Sequence, residues 1–214
     1  MEISEIFLSI QGESSYAGKP CIFVRLAGCN LDCGWCDTRY ANTGEEATRK
    51  LTVEDVVATV KGYKCNTVEI TGGEPLLQAD SVKLATRLLE LGYTVMLETN
   101  GSVSLEGVDP RVIKVVDVKC PSSGQAGSFL VENLEQVNPD DELKFVIGGR
   151  GDYDFAKNFL VEFVKGATKN ILFAPVKPGM DPKDLAEWIL EDSLDVRLQL
   201  QIHSYIWNEE TRGR

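Results

Sequence analysis

The sequence predicts an α/β protein built as an incomplete (β/α)6-type barrel. Short apolar runs rich in β-branched residues alternate with amphipathic runs of helical period, and this alternation is typical of parallel strands joined by right-handed crossovers. Polar, glycine-rich segments follow several of the strands, as expected where loops gather at one rim of a barrel. A doubly wound sheet is the alternative to a barrel for this alternation. With only about six or seven predicted strands, an incomplete barrel fits better than a closed eightfold one.

The predicted elements begin with a buried apolar strand and end with a strand of alternating pattern. In the first helix, Thr52 is the predicted N-cap, Asp55 takes the capping-box position and Gly62 ends the helix. In the last helix, Asp181 is the predicted cap and Pro182 occupies the first turn. The predicted strands are 21–28, 66–73, 93–101, 111–119, 142–149, 170–176 and 196–205, and the predicted helices are 51–62, 80–92, 152–166 and 181–191.

Length and composition favour one globular domain over residues 1–214, because 43% of the residues are hydrophobic and 26% are charged. The net charge of −11 argues against a nucleic-acid partner, which needs a basic face. No apolar run reaches the length of a membrane span, and the first residues lack the basic segment of a secretion signal. We therefore expect a cytoplasmic protein that acts on a small molecule.

Three cysteines, Cys29, Cys33 and Cys36, form the pattern C-x₃-C-x₂-C. Iron–sulfur clusters usually take four cysteine ligands, so three thiolates leave one iron with an open position, which is typical of a catalytic metal site. These residues therefore favour a 4Fe–4S cluster with one open iron.

Structural zinc and a disulfide are the alternatives for the same cysteines. Cys120 follows a strand and could complete a zinc site, but the second half of a paired zinc knuckle is missing. Disulfides are rare in the expected compartment. Cys21 and Cys65, at the starts of apolar strands, are expected to be small packing residues.

A second motif, TGGEP at 71–75, follows the next predicted strand. Its glycines allow the backbone to approach a ligand closely, although a plain strand-to-helix turn is the alternative for this motif alone. The two motifs together, with the aromatic Trp35, resemble the radical S-adenosylmethionine (SAM) enzymes, and ETNG at 98–101 resembles a further cofactor-facing segment. The resemblance implies a partial (β/α)6 barrel in which SAM chelates the open iron and Glu74 binds its ammonium group.

Seven short segments spread along the chain carry a more specific resemblance: IQGE, FVRLAGCNL, WCDT, TGGEP, ETNG, DVKCPSSG and LQIHSYIW. They are similar to the 7-carboxy-7-deazaguanine synthase family of queuosine precursor biosynthesis. The resemblance implies a lyase that contracts 6-carboxy-5,6,7,8-tetrahydropterin to 7-carboxy-7-deazaguanine and releases ammonia, with Mg²⁺ beside the cluster and SAM. It also implies that the cofactor carries the radical chemistry and that no side chain acts as a catalytic nucleophile.

The substrate contacts follow from the same resemblance. Arg25, within an apolar strand, suits a bidentate clamp on the substrate carboxylate, and Gln11 and Glu13 suit the aminopyrimidinone edge. A turn role for Gln11, a surface role for Arg25 and a structural role for His203 are alternatives. Short N-terminal and C-terminal extensions of the core supply part of the set, which comprises Ile10, Gln11, Gly12, Glu13, Arg25, Thr71, His203 and Arg214.

Metal and cofactor contacts are implied in the same way. The hydroxyl of Thr38 is the implied Mg²⁺ ligand, because Mg²⁺ prefers hard oxygen ligands. Asp37 is an alternative ligand, and a helix-cap role is an alternative for either residue. Some relatives have glutamine at Ala174, which weakens the case for a side-chain contact there. The implied SAM contacts are Gly73, Glu74, Glu98, Asp117, Val118, Lys119, Ser122, Ala174, Pro175, Val176 and Lys177.

Two other functions are compatible with the cysteine loop. An activase that makes a glycyl radical on a partner protein shares the loop, but IQGE and LQIHSYIW favour a small-molecule substrate. A non-catalytic zinc or electron-transfer protein needs a fourth ligand and does not cleave SAM. The family resemblance further implies a homodimer and a reductant such as flavodoxin or ferredoxin.

Overall fold

A computed structural model of the chain describes residues 1–42, 48–164, 166–207 and 213. Short 3₁₀ segments lie at Pro75–Leu77, Pro121–Ser123 and Val131–Gln136. The strands are β1 (Glu2–Ile10), β2 (Pro20–Leu26), β3 (Arg49–Lys50), β4 (Thr67–Gly72), β5 (Thr94–Thr99), β6 (Ile113–Asp117), β7 (Glu142–Ile147), β8 (Asn170–Pro175) and β9 (Arg197–Leu198). The helices are α1 (Arg39–Asn42), α2 (Val53–Val60), α3 (Asp80–Glu90), α4 (Arg150–Phe159), α5 (Pro182–Glu191) and α6 (His203–Ile206).

The strands form one sheet in the order β3-β1-β2-β4-β5-β6-β7-β8-β9. From β2 to β9 each neighbouring pair is parallel, whereas β1 runs antiparallel to both β2 and β3. The six long parallel strands, β2 and β4 to β8, are the predicted incomplete (β/α)6-type barrel. No helix in the described part of the chain has both the length and the apolar character that a bilayer crossing needs.

Alternating side chains of the strands separate the hydrophobic core under the helices from the cavity inside the barrel. In β2, Ile22, Val24 and Leu26 are fully buried and belong to a core cluster with residues of α2 and α3. Phe23 and Arg25 point to the opposite face, because successive side chains of a strand alternate, and they line an internal cavity. The outer face of the parallel sheet therefore carries the helices, and its inner face remains available for a site.

Helix boundaries agree with the predicted caps. The Thr52 hydroxyl accepts a hydrogen bond from the Asp55 N–H, and the Asp55 side chain bonds back to the Thr52 backbone, which completes the capping box. The Asp181 side chain accepts from the Lys183 N–H at 2.9 Å. The helix predicted at 152–166 ends sooner, since the α-helix stops at Phe159 and a π-helical turn follows at Leu160–Val164.

The prediction of a closing strand at 196–205 was wrong. Only Arg197 and Leu198 pair with β8, and the chain then leaves the sheet and forms α6, so His203 lies on a helix. The alternating pattern of this segment imitates a strand. The Gln199 N–H still donates to the Phe173 carbonyl of β8 at 2.8 Å, but Gln201 and Ile202 bind the loop after β1. The strands β1 and β3 are additional elements that the sequence interpretation lacked.

Candidate active site

A cavity of about 720 Å³ lies within the barrel, a size typical of small-molecule sites. Residues of seven adjacent strands, β1, β2 and β4 to β8, line it. The loop after β2 and the segments that flank the open side of the barrel complete the wall. The strand residues in its wall include Phe23, Arg25, Glu69, Thr71, Glu98, Val115, Asp117, Lys144 and Val146.

The loop after β2 brings the three predicted cluster ligands to one wall of the cavity. Gly28 turns the chain with φ of 92°, in the left-handed region that favours glycine. The Gly34 N–H donates to the Ser123 carbonyl at 3.1 Å, so the middle of the loop is tied to the loop after β6. The thiols are free and all face the cavity: Cys29, Cys33 and Cys36.

The TGGEP turn packs directly on the cysteine loop. A Cβ atom on Gly73 would lie 2.2 Å from the Gly28 carbonyl oxygen and 2.8 Å from the Cys29 Cβ, so no other residue fits there without a shift. Gly72 has φ of 151°, and a Cβ atom there would lie 2.3 Å from the Leu26 carbonyl oxygen. The glycines therefore set the distance between this turn and the cysteines.

Glu74 does not line the cavity, contrary to the contact expected from the sequence. Its side chain is fully buried and accepts hydrogen bonds from the N–H groups of Leu76 at 2.9 Å and Asn100 at 2.7 Å. The Thr99 hydroxyl donates to both carboxylate oxygens at 2.9 Å. Burial raises the pKa of Glu74, and these donors oppose that shift. Glu74 therefore joins the loops after β4 and β5.

The centre of the cavity holds a buried cation among carboxylates. The Lys144 ammonium lies 3.0 Å from Glu13 Oε2 and 3.7 Å from Asp117 Oδ2, and it also donates to Glu98. Burial by itself lowers the pKa of a lysine, but the three carboxylates raise the pKa of Lys144 well above its ordinary value. The site thus contains a permanent positive charge shared by three acids.

Two carboxyl groups on adjacent strands have opposite protonation preferences. Burial, followed by the charge of Glu98, raises the pKa of Glu69, which accepts a hydrogen bond from the Gln11 amide. Burial also opposes ionisation of Glu98, but Lys144 lowers the pKa of Glu98 to about 2, and the Thr71 hydroxyl donates to it at 3.1 Å. Glu69 therefore takes up a proton more readily than Glu98 does.

The far end of the cavity is closed by the loop after β1 and the C-terminal segment. Ile10 pairs with Pro20, the first residue of β2, so this loop lies at the opposite end of the strands from the cysteines. The Ile202 N–H donates to the Gly12 carbonyl at 3.0 Å. A Cβ atom on Gly12 would lie 1.9 Å from His203 Nδ1, so glycine permits the imidazole to lie against the loop.

The Arg25 side chain is anchored through its Nε, and its terminal guanidinium nitrogens face the cavity. Its Nε donates to Glu5 Oε1 at 2.9 Å, and the Tyr40 hydroxyl donates to the same oxygen at 2.7 Å. The terminal guanidinium nitrogens form no hydrogen bond with the described residues, and Arg25 lines the cavity beside the stacked rings of Phe7 and Phe23. This geometry leaves the guanidinium fork available to an anion.

Comparison with known proteins assigns the chain to a family. The model of the radical SAM superfamily matches residues 24–191. A 7-carboxy-7-deazaguanine synthase of Koribacter versatilis is 48% identical over all of both chains, and one of Chlorobaculum tepidum is 44% identical over 100% of this chain and 97% of its own. The chain belongs to the 7-carboxy-7-deazaguanine synthase family. QueE from Escherichia coli has a crystal structure that matches with a TM-score of 0.80 and 26% identity, covering 94% of this chain and 93% of that one.

Membership in the radical SAM superfamily implies a 4Fe–4S cluster and SAM, and the donor set fits a cluster. The Leu31 N–H lies 3.4 Å from the Cys29 sulfur, and the Asn42 amide lies 3.4 Å from the Cys36 sulfur; such donors stabilise metal-bound thiolates. Within the described ranges, no three His, Cys, Asp or Glu side chains are grouped as ligands of a single ion. Three thiols around one cavity fit a cluster better than zinc, because a cluster binds each thiolate at a different iron.

The cofactor region also offers an unused acceptor. Asp117 Oδ1 is buried without a hydrogen-bond partner among the described residues, while Asp117 Oδ2 accepts from Lys119 at 2.8 Å. A buried acceptor without a partner is costly, and a donor on a bound ligand removes that cost. Asp117 therefore fits the ammonium or hydroxyl groups of SAM.

Most residues expected at the synthase site line this cavity, and a few do not. Val118 is buried in the core, and the Ser122 N–H donates to Asp152 at 2.9 Å outside the cavity. Arg214 lies outside the described residues. Cys21, Cys65 and Cys120 are absent from the wall, which includes Ile10, Gln11, Gly12, Glu13, Arg25, Thr38, Thr71, Gly73, Glu98, Asp117, Lys119, Ala174, Pro175, Val176, Lys177 and His203.

Two charged residues of the cavity were missed by the sequence interpretation. Glu69 lies within TVEITG and Lys144 within ELKFVI, and both interrupt runs that otherwise read as buried strands. The same signal, a charge inside an apolar strand, singled out Arg25. A search of every predicted strand for an internal charged residue would have identified both Glu69 and Lys144.

Proposed function

We propose that this chain catalyses the SAM-dependent ring contraction of 6-carboxy-5,6,7,8-tetrahydropterin to 7-carboxy-7-deazaguanine, with release of ammonia. The observation that carries the proposal is one cavity lined by three free thiols, by the Arg25 guanidinium and by the polar loop after β1, which lies at the end of the strands opposite the cysteines. The chain is also 48% identical to a named synthase over its full length. When bound, the cluster and SAM supply the radical chemistry of the reaction.

Arg25 and Thr71 are register partners near the carboxyl ends of β2 and β4, where Arg25 binds the pterin carboxylate and Thr71 contacts the ring. Ile10, Gln11, Gly12 and Glu13 bind the aminopyrimidinone edge. The Gln11 amide is already oriented, because its nitrogen donates to Glu69 and its oxygen accepts from the Glu13 N–H at 3.1 Å. Further contacts with the pterin come from His203 and Arg214.

The position of Gly213 supports the proposal for its neighbour Arg214. An ideal Cβ on its neighbour, Gly213, lies 3.9 Å from the Phe7 Cβ, and Phe7 lines the cavity.

At the cofactor end, the contacts with SAM come from the residues that line the cavity. Gly73 allows close backbone approach, and Glu98, Asp117 and Lys119 provide charged partners. The segment Ala174–Lys177 closes the region beside β8. Glu74, Val118 and Ser122 act from outside the cavity, by holding these loops in place.

Thr38 is the proposed Mg²⁺ ligand. It lines the cavity, and its hydroxyl oxygen lies 3.8 Å from the Cys36 sulfur, so Thr38 would hold an ion close to the cysteine loop. Asp37 lines the same region and offers a second hard oxygen ligand. The homodimer, the flavodoxin or ferredoxin reductant and the cytoplasmic location are proposed from the family resemblance.

Turnover by Arg25 variants tests the choice of substrate. Arg25→Ala should reduce turnover of the carboxylated pterin about 10- to 150-fold, since a charge-assisted hydrogen bond contributes about 1.5–3 kcal/mol. Arg25→Lys should recover only part, because a point charge cannot reproduce the guanidinium fork. SAM cleavage without coupled product formation is the control and should change little. Equal loss of both activities in Arg25→Ala would remove Arg25 from the carboxylate clamp.

A further inference from the structure

We propose that Lys144 is a positioning residue that sets the geometry of both ends of the cavity at once. It holds Glu13 at the substrate end and holds Glu98 and Asp117 at the cofactor end. The inference rests on the proposed function, since that function assigns the two ends to the pterin and to SAM.

The position of Lys144 in the fold carries the inference. It lies on β7 and reaches carboxylates from three separate places: the loop after β1, the end of β5 and the end of β6. The side chain is 7% exposed, so bulk water does not screen these contacts effectively. A single ammonium group therefore connects segments that are far apart in sequence.

Each carboxylate has a second partner that completes its orientation. Glu13 accepts from the Gln201 amide at 2.8 Å, Glu98 accepts from the Thr71 hydroxyl, and Asp117 accepts from Lys119. The second partners differ, whereas Lys144 is common to all three. Its charge therefore fixes the separation between the carboxylates as well as their orientation.

Loss of the Lys144 charge leaves the three acids in a buried region with much less compensation. Buried like charges repel, and the acids respond by taking up protons or moving apart. Either response alters the acceptors presented to the pterin and those presented to SAM. We therefore expect both binding constants to change together.

Lys114 offers a matched control on the neighbouring strand. It is 1% exposed and lies 2.8 Å from Asp141, which is 2% exposed. It is therefore a buried lysine in an ion pair, as Lys144 is, but it does not line the cavity. A fold defect caused by removal of a buried charge should affect both lysines, whereas a binding defect should affect only Lys144.

The test measures equilibrium dissociation constants of cluster-loaded protein for SAM and, separately, for the carboxylated pterin, without reductant. Thermal unfolding of each variant is measured in parallel. In Lys144→Met both constants should rise about tenfold or more, which corresponds to about 1.4 kcal/mol. Lys144→Arg should recover part of each loss, because it keeps the charge. Lys114→Met should lower the melting temperature and leave both constants within about twofold of wild type.

A double variant separates the positioning role of Lys144 from its effect on the net charge of the buried cluster. Lys144→Met with Glu98→Gln removes one charge of each sign, so folding stability should recover while binding stays weak. Recovery of both constants in the double variant would overturn the proposal, as would unchanged constants in Lys144→Met or equal changes in Lys114→Met. A wild-type protein that binds SAM but no pterin contradicts the proposed function instead, which keeps the two failures distinct.

Discussion

Gly12 and His203 form a contact that depends on the absence of a side chain. Gly12→Ala would place a Cβ atom 1.9 Å from His203 Nδ1, so the imidazole and α6 must shift, at a cost of about 1–3 kcal/mol. We expect the dissociation constant for the pterin to rise about fivefold or more, while iron content stays at the wild-type level. Gly151→Ala, where a Cβ meets nothing within 4 Å, is the control and should be neutral or slightly stabilising. Equal pterin affinity in both variants would contradict the contact.

Glu69 and Glu98 should differ in the pH dependence of stability. The pKa of Glu98 falls from an ordinary value of 4.5 to about 2, so its contribution is present above about pH 4.5 and is lost as pH falls toward 2. Glu98→Gln should therefore lower the free energy of unfolding by about 1.5–3 kcal/mol near neutral pH and change it little in acid. The raised pKa of Glu69 has the opposite effect, because ionisation of this carboxyl group at higher pH destabilises the folded state. The free energy of unfolding of Glu69→Gln should therefore increase relative to that of the wild type as the pH rises.

Urea unfolding of metal-free protein between about pH 3 and 8 measures both differences. If the free energies of unfolding of the two variants changed with pH in the same way, the two carboxyl groups would have the same protonation state and the prediction would be wrong.

Residue types and the family resemblance together identified about half of the residues that line the cavity, including the cysteines, Arg25 and Thr71. They failed for Glu74, because its carboxylate is buried and accepts hydrogen bonds from Thr99, at the end of β5, and from Asn100, directly after it. They also gave no indication that Lys144 meets three acids. Such contacts depend on which strands become neighbours, and strand order cannot be read from local spacing.

At the scale of elements, the loop after β2 and the TGGEP turn act as one unit. We expect Cys29→Ala, Cys33→Ala and Cys36→Ala each to lose the cluster after anaerobic reconstitution, since each removes a thiolate ligand. Cys120→Ala is the control, because Cys120 is buried in the core and absent from the cavity wall. Iron and sulfide analysis with the visible absorption spectrum measures the outcome. A full 4Fe–4S spectrum in Cys33→Ala would contradict the assignment.

Helices with capping residues were predictable because Thr52, Asp55 and Asp181 act locally. The segment 196–205 was not, because its alternating pattern is equally compatible with a strand. Its actual structure depends on two contacts with the loop after β1, from Gln201 to Glu13 and from Ile202 to Gly12. Those partners are nearly the whole chain away in sequence.

For the whole molecule, strand–helix alternation predicted a parallel sheet, and the glycine-rich loops, the number of strands and the family resemblance favoured the partial barrel. The antiparallel β1 near the edge of the sheet was missed. That strand determines the layout of the site, because its direction brings Ile10 to Glu13 to the end of the barrel opposite the cysteines. The proposed division into a cluster end and a pterin end follows from this arrangement. The net charge of −11 does not describe the cavity, where Arg25, Lys119 and Lys144 line the wall together with glutamate and aspartate side chains.

Mass spectrometry of the wild-type product mixture tests the proposed function most directly. Reduced, cluster-loaded protein is incubated with SAM, Mg²⁺ and 6-carboxy-5,6,7,8-tetrahydropterin, and protein without cluster is the control. We expect 7-carboxy-7-deazaguanine and ammonia to form in equal amounts, and neither to form in the control. Cleavage of SAM without any deazapurine product would contradict the pterin assignment while leaving the radical SAM assignment intact.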